Sequence, residues 1–72
     1  MSTGKRIRGK RAELGIKRKE FAKLAGVNEN TIYYWEHDAS EPTVFNLIVV
    51  ADILGVSLDW LAERTDKQEV NR

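Results

Sequence analysis

From Arg18 to His37 the chain reads RKEFAKLAGVNENTIYYWEH, and its apolar positions fall into two short helical runs separated by one turn. Phe21, Ala22 and Ala25 recur at helical spacing before Gly26, and Ile32 and Trp35 do so after it. Gly26 is expected to supply the positive φ that closes the first run. Asn28 is expected to cap the second by accepting from its free amides. Ala22 has the small side chain that lets two helices cross closely.

The same spacing rule extends in both directions. Upstream, Met1 to Thr3 reads as a frayed tail, and a helix is expected from Lys5 to Leu14, with Ile7, Arg11 and Leu14 on one stripe and Gly15 as its stop. The second helix begins near Arg18. Downstream, Asp38 to Pro42 reads as a loop, and Thr43 caps a helix running to Leu54 and stopping at Gly55. Val44, Leu47, Ile48, Ala51 and Leu54 form its expected core stripe, and Phe45, Val49 and Ile53 make a second apolar row beside it. Ser57 caps a last short helix containing Leu58 and Leu61. Residues 65–72 are polar and aperiodic, so the expectation is a domain over 1–64 followed by a disordered tail.

Rotation by about 100° per residue divides the helix after Gly26 into two arcs. Ile32, Trp35 and Glu36 share one, while Glu29, Asn30, Tyr33, Tyr34 and His37 share the other. The second arc should face out, where two tyrosines reduce solubility unless they contact something. Arg11, on an apolar stripe, needs an acid, and Glu36 at the edge of the buried arc is the expected partner; the alternative is that Arg11 extends its charge to water.

Composition narrows the functions this pattern can serve. The 72 residues allow one small core and no enclosed active-site cleft. There is no Cys and only one His, so thiolate catalysis, disulfides and a metal cluster are not expected. No paired carboxylates suggest a cleft, which leaves neither nucleophile nor base for an enzyme. No apolar run reaches the roughly 20 residues of a membrane span, and the basic N-terminus is not followed by a signal-peptide core. A soluble, cytoplasmic protein without cofactor or small-molecule ligand is the expectation.

The formal charge of +1 conceals a polarity. Residues 1–27 hold nine of the twelve Lys and Arg against two acids, a net +7, whereas residues 28–72 hold three basic and nine acidic residues, a net −6. One basic face is the implication, against the alternative of ordinary surface charge. Asn30 has an amide that pairs bidentately with adenine, and a basic face beside an exposed amide and two tyrosines suits DNA.

The turn, the apolar offsets around it and the run GVSLDWL at residues 55–61 resemble the helix-turn-helix of the Cro and repressor type of lambdoid phages. The resemblance covers Gly4 to about Arg64. It implies an all-α, compact five-helix bundle in which helices 2 and 3 form the helix-turn-helix and helix 3 lies in the major groove of double-stranded DNA. It hands the base-reading positions to Glu29, Asn30 and Tyr34, and leaves backbone or marginal contacts to Lys5, Arg6, Lys10, Lys17, Arg18, Lys19, Tyr33 and His37. It points to the same Arg11–Glu36 pair. It also implies a homodimer on a (pseudo)palindromic operator and repression as the outcome. Part of the second apolar row at Phe45, Val49 and Ile53 is expected to be a contact, against the alternative that it widens the core, and Val56, Leu58, Trp60 and Leu61 are expected to contribute to the dimer contact.

Three departures from the family pattern matter. Lys17 stands where relatives often place a Ser or Thr cap, and Arg18 where they commonly carry Gln. Arg18 is expected to pair with Glu29 while reaching a phosphate. The loop HDASEP replaces the Gly, Lys or Arg that often approach a phosphate, and Asp38 and Glu41 would repel DNA if they faced it. That loop motivates the competing expectation of a protein-interaction or antitoxin-like module with weak DNA binding.

Overall fold

The computed structural model describes residues 2–70, which form five α-helices: α1 (Thr3–Glu13), α2 (Arg18–Ala25), α3 (Glu29–Glu36), α4 (Val44–Leu54) and α5 (Leu58–Leu61). No helix among the described residues is long and apolar enough to cross a membrane. The core draws Ile7 from α1, Phe21 and Ala22 from α2, Ile32 and Trp35 from α3, Val50, Ala51 and Leu54 from α4, and Val56, Trp60 and Leu61 from the α5 end.

Helix starts follow the capping residues. Asn28 accepts from the Asn30 amide at 2.9 Å, Thr43 from Asn46 at 3.1 Å and Ser57 from Trp60 at 2.9 Å. Helix α1 starts two residues earlier than the periodicity predicts, because its first amides find one local and two distant partners. Ser2 accepts from Lys5 N, Asp38 Oδ1 from Gly4 N at 3.3 Å, and Glu63 Oε1 from Thr3 N at 2.9 Å. Three donors that a helix N-terminus leaves open are thereby satisfied, and two carboxylates lie at its positive end. Met1 lies outside the described residues.

Helix α1 ends at Glu13, so Leu14 becomes its C-cap and turns outward, 47% exposed. The expected Ile7–Arg11–Leu14 stripe is therefore buried only through Ile7 and Arg11. A Cβ added at Gly4 would collide with the Trp35 carbonyl oxygen, so α1 and α3 cross at backbone contact, which only glycine permits there.

Arg11 and Glu36 form the expected pair. Arg11 Nε donates to Glu36 Oε2 at 2.5 Å, Nη2 donates to Oε1 at 3.1 Å, and Nη1 donates to the Ile16 carbonyl at 2.7 Å. The Glu36 side chain has no exposed surface. The carboxylate is thus doubly bonded, and the guanidinium also ties the link after α1 to α3.

Helix α4 departs most from its expected packing. Val44 is 71% exposed, Phe45 74% and Ile48 44%, while Val50, absent from the expected stripe, is fully buried. The observed inner face is Leu47, Val50, Ala51 and Leu54, with Ile53 partly buried beside it. The sequence VFNLIVVADIL is apolar nearly all round, so periodicity does not select a face. Contact with α1, α2 and α5 selects it.

The segment after α5 carries no helix in residues 65–70, yet it is fastened to the body, in contrast with a free tail. Ser57 N donates to the Gln68 carbonyl at 2.7 Å, and Arg6 Nη1 donates to the Thr65 carbonyl at 2.9 Å. Residues 71 and 72 of the expected tail lie outside the described residues.

Replacing Arg11 with Ala would leave the Glu36 carboxylate buried without its main partner. Arg11→Ala is expected to lower unfolding stability by about 3 to 5 kcal/mol in denaturant melts. A loss under about 1 kcal/mol would mean that the pair behaves as a solvated one.

Candidate nucleic-acid interface

Helices α2 and α3 meet at a turn built by backbone geometry. Gly26 has φ 72°, its N–H donates to the Lys23 carbonyl, and Val27 N donates to Ala22 O at 3.0 Å. Crossing pairs of bonds of this kind close a helix on a left-handed residue. Two residues later Asn28 opens α3, whose inner arc buries Ile32, Trp35 and Glu36 as expected.

The outer arc is exposed and falls into two rows. Glu29, Tyr33 and His37 follow one another at intervals of four, and Asn30 and Tyr34 lie beside them. All five are exposed, Tyr33 by 43% and Tyr34 by 48%. The two phenol rings meet edge to face, with centroids 6.0 Å apart. His37 stacks on Tyr33 with centroids 4.0 Å apart, and its Nδ1 lies 2.8 Å from the Tyr33 carbonyl oxygen.

Arg18 joins this arc from α2, but not as the expected partner of Glu29. Its Nε lies 3.6 Å from Glu36 Oε1, and its guanidinium sits over the Tyr33 ring, 5.1 Å from the centroid. The desolvated carboxylate of Glu36 is a stronger electrostatic attractor than a water-exposed Glu29. Arg18 thus touches both the buried pair and the outer face.

The six expected backbone cations divide. Lys5, Lys17 and Lys19 are exposed and make no ion pair among the described residues. Lys17 is the α2 N-cap without a side-chain bond, which leaves the first α2 amides open beside two lysines. Arg6 is withdrawn: its guanidinium stacks over Trp60 at 5.0 Å and donates to the carbonyls of Trp60 and Thr65, and its side chain is 9% exposed. Trp60 supplies the aromatic face that holds it. Lys10 is half withdrawn, 3.3 Å from Glu13 and 3.2 Å from Gln68 Oε1. Lys23, not among the expected cations, lines a shallow hollow with Lys17 and Lys19. Its place four residues after Lys19 was the available signal.

Asp38 does not confront this face as a bare charge. It adopts φ 56°, accepts from Ser2 Oγ at 2.6 Å and caps α1. The expected dimer contact is also corrected. Val56, Trp60 and Leu61 are at most 7% exposed because they close the core, and only Leu58 of that set reaches the surface. On α4 the exposed apolar residues are Val44, Phe45 and Ile48, and Leu14, Leu24 and Val70 are exposed elsewhere.

Residues 7–61 match the helix-turn-helix family, which takes in α2, the turn and α3 entire. The chain belongs to that family. Within the helix-turn-helix family it is 40% identical over 50 residues to an HTH-type transcriptional regulator of Haemophilus influenzae, covering 69% of this chain and 21% of that protein. It is 28% identical over 71 residues to the HTH-type transcriptional regulator ImmR of Bacillus subtilis, covering 99% of this chain and 56% of ImmR. The chain thus spans about a fifth and a little over half of these relatives' lengths. Its fold is similar to that of the P22 c2 repressor solved in complex with a synthetic operator, with TM-score 0.85, 32% identity, and 90% and 98% of the two chains covered. It is also similar to SinR, a master regulator for biofilm formation solved with DNA, with TM-score 0.76, 32% identity, and 82% and 95% covered.

The division of cations between surface and interior predicts two different phenotypes. Arg6→Gln is expected to lower the thermal midpoint and leave the salt dependence of DNA affinity unchanged. Lys19→Gln is expected to leave the midpoint unchanged and reduce the log–log salt slope by about one unit. Thermal melts and a salt titration on one duplex measure both.

Proposed function

We propose that this chain is a sequence-specific DNA-binding transcriptional regulator, acting as a repressor with α3 in the major groove of double-stranded DNA. The observation that carries the reading is the exposed Glu29, Asn30 and Tyr34 on α3, set beside the unpaired lysines at the start of α2. The lysines and open α2 amides hold phosphates, which fixes register without reading sequence. Asn30 pairs with adenine, Glu29 accepts from a cytosine amino group, and Tyr34 completes the reading set. The relatives that share the fold include a repressor solved on its operator, which favours repression as the outcome. A cytoplasmic location without cofactor or small-molecule ligand fits this role.

The chain acts as a symmetric homodimer whose contact is formed by Val44, Phe45 and Ile48 with Leu58. Val44, Phe45 and Ile48 supply exposed apolar area, with Leu58 half-buried, that a second copy removes from water. A two-fold arrangement places two α3 helices on half-sites about one helical turn, roughly 34 Å, apart. The same apolar patch is the observation that favours a second reading, a protein-interaction module whose partner docks on α4.

Selection of bound duplexes from a random pool, followed by a salt titration, separates the readings. A regulator is expected to enrich a (pseudo)palindrome and to lose affinity steeply with salt. An interaction module enriches nothing and binds no DNA at low salt. On the selected duplex, Asn30→Ala is expected to relax preference at one base step and to cost about 1 to 3 kcal/mol. Phe45→Glu is expected to shift sedimentation from two chains per duplex to one. Wild-type protein binding strictly as one chain would overturn the dimer.

A further inference from the structure

The resemblance puts Tyr33 at the margin of the reading surface, but its surroundings are more ordered than a margin requires. An exposed tyrosine on a helix ordinarily samples more than one rotamer. Here three groups restrict the ring. His37, one turn later, stacks on it with centroids 4.0 Å apart and planes 24° apart. The Arg18 guanidinium lies over it at 5.1 Å, and Tyr34 meets it edge to face. Arg18 is itself held, 3.6 Å from the buried Glu36 carboxylate that Arg11 anchors. His37 is fixed in turn by its Nδ1 contact to the Tyr33 carbonyl. The phenol is therefore coupled through Arg18 to the best-packed polar group of the molecule.

We infer that Tyr33 is a specificity-determining residue: the stacked Arg18 and His37 hold its ring, and its hydroxyl donates to an acceptor on a base edge in the major groove. This rests on the DNA-binding reading above. Two features of the ring make its hydroxyl the contacting group, and its place among the other readers favours a base over a phosphate as the acceptor. With an imidazole and a guanidinium on the ring, little face is left for stacking, so the hydroxyl and ring edge do the contacting. A cation over the ring draws electron density from the phenol and makes its O–H a better donor. Tyr33 also lies amid the other readers, with Glu29 and His37 along its row and Asn30 and Tyr34 beside it. Purine N7, guanine O6 and thymine O4 are the acceptors that the major groove offers there. Ordering the ring before binding lowers the entropy cost of the contact and sharpens its geometric selectivity.

The test measures affinity of the wild-type chain for its selected duplex and for every single-base variant of it, at two salt concentrations, alongside Tyr33→Phe and His37→Ala. Tyr33→Phe removes one exposed oxygen and retains the stack. It is expected to reduce preference at one base pair by about tenfold, leaving other positions and the salt slope unchanged. His37→Ala keeps the hydroxyl and frees one face of the ring, and is expected to lose part of the preference at that same base pair. Equal weakening on all duplexes with Tyr33→Phe would place the hydroxyl on a phosphate and overturn the assignment, as would unchanged discrimination. Full discrimination in His37→Ala would overturn the positioning role of the stack. If the wild-type chain itself shows no preferred duplex and no salt-dependent binding, the DNA reading fails and this inference with it. A wild type that discriminates beside a Tyr33→Phe variant that matches it overturns this inference alone.

Discussion

A carboxylate with no exposed surface, Glu36, stands at the centre of this fold, and its neighbours are arranged around its charge. Burying such a group costs several kcal/mol unless it is paired and hydrogen-bonded. Arg11 meets that demand with two bonds, and a third from the same guanidinium reaches the Ile16 carbonyl. One side chain therefore sets the position of α1 relative to α3 and the path between α1 and α2. The close approach of α1 to α3 over Gly4 belongs to the same arrangement, since a side chain there would push the Trp35 backbone away.

From that centre the order extends outward to the exposed arc of α3, the face proposed to read DNA. Arg18 touches the buried carboxylate on one side and the Tyr33 ring on the other. The inner and outer arcs of α3 are thus linked through a residue of α2. A reading helix is useful only when its side chains are held near their bound geometry, and those held by packed neighbours are held better than those on a free surface. One acid of the loop after α3 is managed in the same way, while Glu41 stays exposed. Asp38 spends its charge on the first turn of α1, which benefits from it.

Several features were legible in the sequence because they are local. The Gly26 turn, the caps at Asn28, Thr43 and Ser57, and the two arcs of α3 each depend on a few neighbouring residues, and each is found where the spacing places it. The Arg11–Glu36 pair was also legible, because a lone charge on an apolar stripe must find a partner and the buried arc of α3 offered one acid. Arg18 shows the limit of such reasoning. Its choice between Glu29 and Glu36 turned on which carboxylate had lost its water, and desolvation is not written in spacing.

By itself, then, the sequence determined five helices, their boundaries to within a turn, the helix-turn-helix at their centre and the residues α3 exposes. Tertiary structure alone decided the rest. It chose the inner face of α4, an apolar helix with no polar side to orient it, and so exposed Phe45 and buried Val50. It enclosed Val56, Trp60 and Leu61, which a sequence reading cannot tell from surface apolar residues on a four-residue helix. It also decided which cations remained free, laying Arg6 against Trp60 and leaving Lys17 and Lys19 in water. The physical reason is common to all three: hydrogen-bond caps and glycine turns act over a few residues, whereas burial is a property of what packs against a surface from elsewhere in the chain.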